Sequence, residues 1–176
     1  MALSDLPLSY CTNVHPGRTL AEVERGLDEY TAPLIVNFGA LLAAGLWLAA
    51  PVIAELETTP GAVPRFRDGL ARRGLTCHTL NAFPYGDFHS RRVKENVYLP
   101  DWSDPRRHDY TLACARVLAA LLPDGTEGSI STSPLAFKGF NHPAGHFDRC
   151  TAQLVEMAVA LDRLRQETGQ LIRLAI

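Results

Sequence analysis

The sequence predicts an α/β fold with a parallel sheet, and two observations carry that prediction. Segments of apolar, β-branched or alternating residues take turns along the chain with segments of helical period. Polar residues gather just after three of the predicted strands, where α/β sheets carry their sites. Right-handed crossovers between the strands follow from this alternation. The chain has 176 residues, whereas an eightfold βα barrel needs about 250. The sheet is therefore expected to be either open or part of a barrel.

Taken in order, Leu8 to Thr12 forms a short apolar run that leads into the loop Asn13-Val14-His15-Pro16-Gly17. Thr19 with Glu22 makes a capping box, and Leu20, Val23, Leu27 and Tyr30 recur at helical spacing behind it. A second strand is expected over Gly45 to Ala49, with a helix from Pro51. Thr59 and Pro60 are placed to start a helix with Val63, Phe66 and Leu70 on one face and Gly74 at its end. Leu75 to Asn81 alternates and is β-branched, which predicts a third strand. Asp104 and Pro105 open a helix buried along Tyr110, Cys114, Val117, Leu118 and Leu121 and stopped by Pro123 and Gly125. Ser129 to Thr132 is the fourth strand. A helix follows with Phe147, Cys150, Leu154, Met157, Leu161 and Leu164 on its apolar stripe, then Gly169 and a fifth strand over Leu171 to Ile176. No GxGxxG follows the first strand, so a dinucleotide site is not expected.

Composition narrows the functional class. Seventeen Lys and Arg against nineteen Asp and Glu leave a formal charge of −2, without the positive surplus that a phosphate backbone selects, so nucleic acid is not an expected partner. A hydrophobic content of 47% with 13 Gly and 12 Pro describes a folded chain rather than a disordered or collagen-like one. The four cysteines are scattered, form no CxxC pair and follow no signal-type N-terminus, which predicts free thiols and a cytoplasmic location. Leu34 to Ala54 runs 21 residues without a charge, nominally enough to cross a bilayer. Its Asn37, Gly39, Gly45 and Pro51, its acidic flanks and the lack of a nearby Lys or Arg anchor argue instead for a buried strand followed by a helix.

The densest cluster of reactive side chains is the stretch from Asn81 to Trp102. It holds Asn81, Tyr85, Asp87, His89, Lys94, Glu95, Tyr98 and Asp101, and long loops in compact domains are where function collects. His89 or Asp87 suits an acid, a base or a ligand, and Arg91, Arg92 and Lys94 suit an anionic group such as a phosphate. The competing reading is a solvated loop with aromatic anchors. His15 lies just past a strand end, where a ligand or general base would sit, although a lone histidine also serves structure. His142, His146 and Cys150 are spaced by four and imitate a zinc motif, but Pro143 and Gly145 weaken the first turn and Cys150 falls on the buried stripe, so no zinc is expected there. The run Ser129 to Ser133 lacks a GxSxG elbow.

Six segments carry a family resemblance: LSYCTNVHPG (Leu8 to Gly17), GLWL (Gly45 to Leu48), TLNAFPYGDFH (Thr79 to His89), VKENVYLPDW (Val93 to Trp102), YTLACA (Tyr110 to Ala115) and GSISTSPLAFK (Gly128 to Lys138). In this order they resemble the metabolite traffic protein EboE family, which is itself similar to the xylose isomerase-like barrels of sugar isomerases, sugar-phosphate epimerases and some endonucleases. The resemblance implies a partial (β/α)8 TIM barrel of that type, about its first half, with parallel strands. It implies an isomerase- or epimerase-like role on a sugar-like or cyclitol-like small molecule during its biosynthesis or export, with proton abstraction beside a carbonyl as the chemistry. The alternative it leaves is a non-catalytic component that binds or scaffolds a metabolite for export.

The candidate catalytic residues are His15, Asp87, His89 and Lys94, and the candidate substrate-binding residues are Asn81, Tyr85, Arg91, Tyr98 and Lys138; of these the resemblance carries over His15, Asn81 and those within NAFPYGDFH and VKE. A divalent metal is implied for the complete barrel. Its expected first ligand is a Glu in an acidic LEPEP-like segment that follows the counterpart of LIRLAI in the relatives, beyond Ile176. Accordingly no cofactor and little turnover are expected of these residues alone, and open strand edges are expected to favour self-association.

Overall fold

Backbone pairing gathers the predicted strands into one five-stranded sheet, all parallel, with the strands side by side in chain order. The chain is described by a computed structural model over residues 7–38, 41–86 and 94–176. The strands are β1 (Leu8–Cys11), β2 (Leu42–Trp47), β3 (Thr76–Ala82), β4 (Gly128–Thr132) and β5 (Ile172–Ala175). Because the order never reverses, the sheet lacks the switch point that defines doubly wound folds, including the flavodoxin-like arrangement. β1 and β5 are its edges.

The helices are α1 (Leu20–Gly26), α2 (Ala32–Phe38), α3 (Ala50–Thr58), α4 (Ala62–Arg72), α5 (Pro105–Leu121) and α6 (His146–Thr168). They touch in a continuous layer, α1 to α3, α3 to α4 and α5, and α5 to α6. Register explains which face of the sheet they cover. Leu46, Leu80, Ile130 and Leu174 stand opposite one another across β2 to β5. The first three are fully buried in a core with Leu70, Val117, Leu118 and Met157 from the helices, and Leu174 packs against it.

Local chemistry sets the helix ends. Thr19 Oγ1 accepts from the backbone N–H of Glu22 at 3.2 Å, and Glu22 Oε2 accepts from the Arg18 N–H at 2.8 Å, one residue before the partner a capping box would use. Asp104 caps α5 by accepting from Arg106 N–H at 2.9 Å, and the Arg106 guanidinium holds the Asp104 carboxyl below its ordinary range. The helix begun at α1 continues through a π-helical turn, Leu27–Thr31, into α2. The charge-free run from Leu34 to Ala54 is thus divided among α2, β2 and the start of α3, and no helix among the described residues is long and apolar enough to cross a membrane.

Several boundaries differ from the sequence reading. β2 begins three residues before Gly45, because all six of its residues are buried and so leave no period to read. α4 starts at Ala62 rather than at Thr59 and Pro60. Thr59 closes α3 instead, and Gly61 turns the chain at φ +72°, a conformation that favours glycine. On α6 the buried line is His146, Cys150, Met157 and Leu164, whereas Phe147 is 55% exposed. All four cysteines are free. Burial pushes the Cys77 thiol up to about 12 and raises Cys114 further, so neither is poised as a nucleophile.

Candidate functional site at the carboxyl ends of the strands

A polar row crosses the face of the sheet opposite the helices. Cys11, Gly45, Thr79, Ser129 and Arg173 stand opposite one another from β1 to β5. One step toward the carboxyl ends, Trp47, Asn81, Ser131 and Ala175 do the same. Their side chains are linked: Asn81 Nδ2 donates to Cys11 Sγ at 2.9 Å, Cys11 Sγ donates to Asn13 Oδ1 at 3.0 Å, and Ser131 Oγ donates to Asn81 Oδ1. Beside them Ser129 Oγ donates to Thr79 Oγ1 at 3.0 Å. An amide carries two donors and two acceptor lone pairs, so half-buried Asn81 keeps hydrogen-bonding capacity after these contacts. Gly45 lets β1 lie close here, since a Cβ at that position would stand 2.9 Å from Ser9 Oγ and 3.3 Å from the Tyr10 carbonyl oxygen.

The carboxyl ends of β2 and β3 are tied down by α5. Fully buried Arg107 donates from Nε to the Pro100 carbonyl at 2.8 Å and from Nη1 to the Ala82 carbonyl at 2.6 Å. The Tyr110 hydroxyl donates to the Leu48 carbonyl at 2.6 Å, and Trp47 Nε1 donates to the Pro84 carbonyl at 2.9 Å. Trp102, also fully buried, donates from Nε1 to the Ser133 carbonyl at 3.2 Å and from its backbone N–H to the Leu135 carbonyl at 3.1 Å. The loops after β3 and β4 are thereby joined. At the end of β4, Thr132 Oγ1 and Ser133 Oγ are buried without a hydrogen-bond partner.

The structure distributes the sequence-predicted residues unevenly. Asn81 lies at the centre of the polar row. His15 instead packs toward the helices: its Nε2 is 2.8 Å from the Tyr10 hydroxyl and its ring stacks on Tyr30 with centroids 4.0 Å apart. It borders a surface cleft of about 290 Å³ with Arg18, Glu22, Arg25 and Glu29. Tyr85 sits edge-on to Tyr110 with centroids 5.0 Å apart, and Arg107 lies over its ring. Tyr98 stacks on Phe137 with centroids 5.1 Å apart. Lys138 is exposed in the loop after β4. Lys94 begins a 3-10 turn, Lys94–Tyr98, while Asp87, His89 and Arg91 lie outside the described residues.

β5 ends at Ala175, and the metal set implied by the resemblance begins only beyond Ile176. A different group meets between the loops after β3 and β4. One ligand atom from each of Asp101, His142 and His146 lies within 4.8 Å of the others. Sequence spacing alone did not single out this trio, because Asp101 comes from another loop. Compared with known proteins, the chain matches no family model, no curated protein and no solved structure.

Proposed function

We propose that the carboxyl end of this sheet binds a polyhydroxylated, sugar-like or cyclitol-like metabolite, as part of an isomerase- or epimerase-like barrel of the xylose isomerase-like type, in the manner of the EboE family that the sequence resembles. The observation that carries the reading is the linked row Asn13, Cys11, Asn81 and Ser131 on the face opposite the helices. Neutral amides and hydroxyls on a fixed backbone suit the hydroxyl groups of such a ligand, which both donate and accept. The order of the strands supports it too, since every βα loop opens at the same end.

A second reading, a binding or scaffolding protein without turnover, is favoured by a specific feature. Among the described residues of the linked row there is no histidine, carboxylate or lysine to move a proton. Ligand-observed NMR with an aldopentose, a ketohexose phosphate and an inositol tests both readings. Saturation transfer to at least one is expected, weakened about tenfold or more by Asn81→Leu, which removes roughly 1.4 kcal/mol or more of hydrogen bonding. Conversion of the bound sugar supports the isomerase reading, and binding without conversion supports the second. No binding by the unaltered protein overturns both.

A further inference from the structure

We propose that Asp101, His142 and His146 form a binding site for a divalent transition metal, closing the loop after β3 onto the loop after β4. His146 Nε2 and Asp101 Oδ2 are 3.8 Å apart, too far for a hydrogen bond. Metal bonds of about 2.0–2.1 Å at the tetrahedral angle place neighbouring ligand atoms roughly 3.3–3.4 Å apart. A shift of a few tenths of an ångström therefore turns this gap into an edge of a coordination shell.

Two of the three ligands are held from behind. Asp101 Oδ1 accepts from the backbone N–H of Ser103 at 2.9 Å and from its hydroxyl at 2.7 Å, which leaves Oδ2 toward His146. His142 Nε2 lies 3.1 Å from the Phe137 carbonyl oxygen. A carbonyl only accepts, so that nitrogen carries the proton and Nδ1 carries the lone pair, the arrangement that second contacts impose on metal-binding histidines. His142 and His146 stack with ring centroids 4.2 Å apart. His146 opens α6 and is 4% exposed, Asp101 is 6% exposed, and the Trp102 anchors run directly beside Asp101. Asp101 and His146 are thus shielded from water, while His142 is partly exposed.

Two nitrogens and one carboxylate suit Zn²⁺ or Fe²⁺ better than Ca²⁺ or Mg²⁺, which prefer oxygen. Three protein ligands leave at least one position for water or a substrate oxygen. Cys150 Sγ, 3.7 Å from His146 Nε2, adds a soft atom to the wall of the site. The proposal stands on these side chains alone and does not depend on the sugar reading.

The test is equilibrium dialysis of the purified chain against Zn²⁺, with Co²⁺ as a visible probe of coordination. One metal per chain is expected, with a tetrahedral-type Co²⁺ spectrum. Asp101→Asn, nearly isosteric, and His142→Ala, at a partly exposed position, should each weaken binding about 100-fold or more, beyond the 10- to 100-fold loss typical of outer contacts. His108→Ala, outside the cluster, should leave binding unchanged. Circular dichroism confirms that the variants fold. Absence of stoichiometric metal on the unaltered protein, or equal affinity in His142→Ala and His108→Ala, overturns the proposal. Because the readout is metal content and spectrum, its failure is distinguishable from failure to bind a sugar.

Discussion

Arg107→Ala is expected to destabilise the protein by about 3 kcal/mol or more, since it removes two hydrogen bonds from a charged donor, each worth about 1.5–3 kcal/mol. The guanidinium joins the Ala82 carbonyl at the end of β3 to the Pro100 carbonyl in the following loop, and it lies against the rings of Tyr85 and Tyr110. Removing it leaves two buried carbonyl oxygens without these donors and a cavity between them. Burial lowers the pKa of Arg107, yet an arginine begins so high that it stays charged at neutral pH. Arg107→Lys should recover only part of the loss, because a single ammonium does not reproduce a planar fork that reaches two acceptors. Urea unfolding monitored by circular dichroism provides the check. A loss below about 1 kcal/mol, typical of a single neutral hydrogen bond, would show that the guanidinium does not hold this end of the sheet.

Trp102→Ala should cost a similar amount, about 3–5 kcal/mol, through lost transfer energy and the cavity left behind. Two carbonyls in the loop after β4 also lose their donor or its support, at Ser133 and Leu135. Trp102→Phe separates the contributions. It keeps most of the buried ring and loses the Nε1 donor, so about 1 kcal/mol is expected from the unpaired Ser133 carbonyl. The same variant keeps Asp101 near its place, whereas Trp102→Ala is expected to loosen both Asp101 and metal affinity together. Parallel unfolding curves for the two variants check the stability difference, and a Trp102→Ala protein as stable as Trp102→Phe would contradict it.

Much of the fold is legible in the sequence because local signals and tertiary packing agree. The alternation of Leu75 to Asn81, the cap at Asp104 with Pro105, and the stripe Tyr110, Cys114, Val117 and Leu118 each lead to the element observed. Where signals are missing or ambiguous, the element bounds differ from those the sequence predicts. The fully buried β2 carries no alternation to mark its start, and the turn chemistry around Thr59 fits a helix end as well as a beginning. The site was less legible. The place of Asn81 at the end of a predicted strand marks it as a site residue, and the structure puts it at the heart of the polar row. His15, chosen by the same rule, turns toward Tyr10 and Tyr30 instead.

The Asp101, His142 and His146 group shows why spacing alone fell short. A helical face through His142, His146 and Cys150 was the natural pattern to test, but α6 begins only at His146, and the third ligand comes from the loop after β3. Asp101 and Trp102 are neighbours in the sequence, but the anchoring of two loops by Trp102 and the meeting of Asp101 with the two histidines exist only in three dimensions.

The proposed function requires that the carboxyl end of the sheet, on the face opposite the helices, receive the ligand. Backbone amide shifts recorded while titrating the isotopically labelled protein with the best-binding sugar or inositol test it most directly. Shifts concentrated at Cys11 to Asn13, Asn81 to Tyr85 and Ser131 to Ser133 are expected. Shifts confined to the helical layer or to the amino ends of the strands would contradict it.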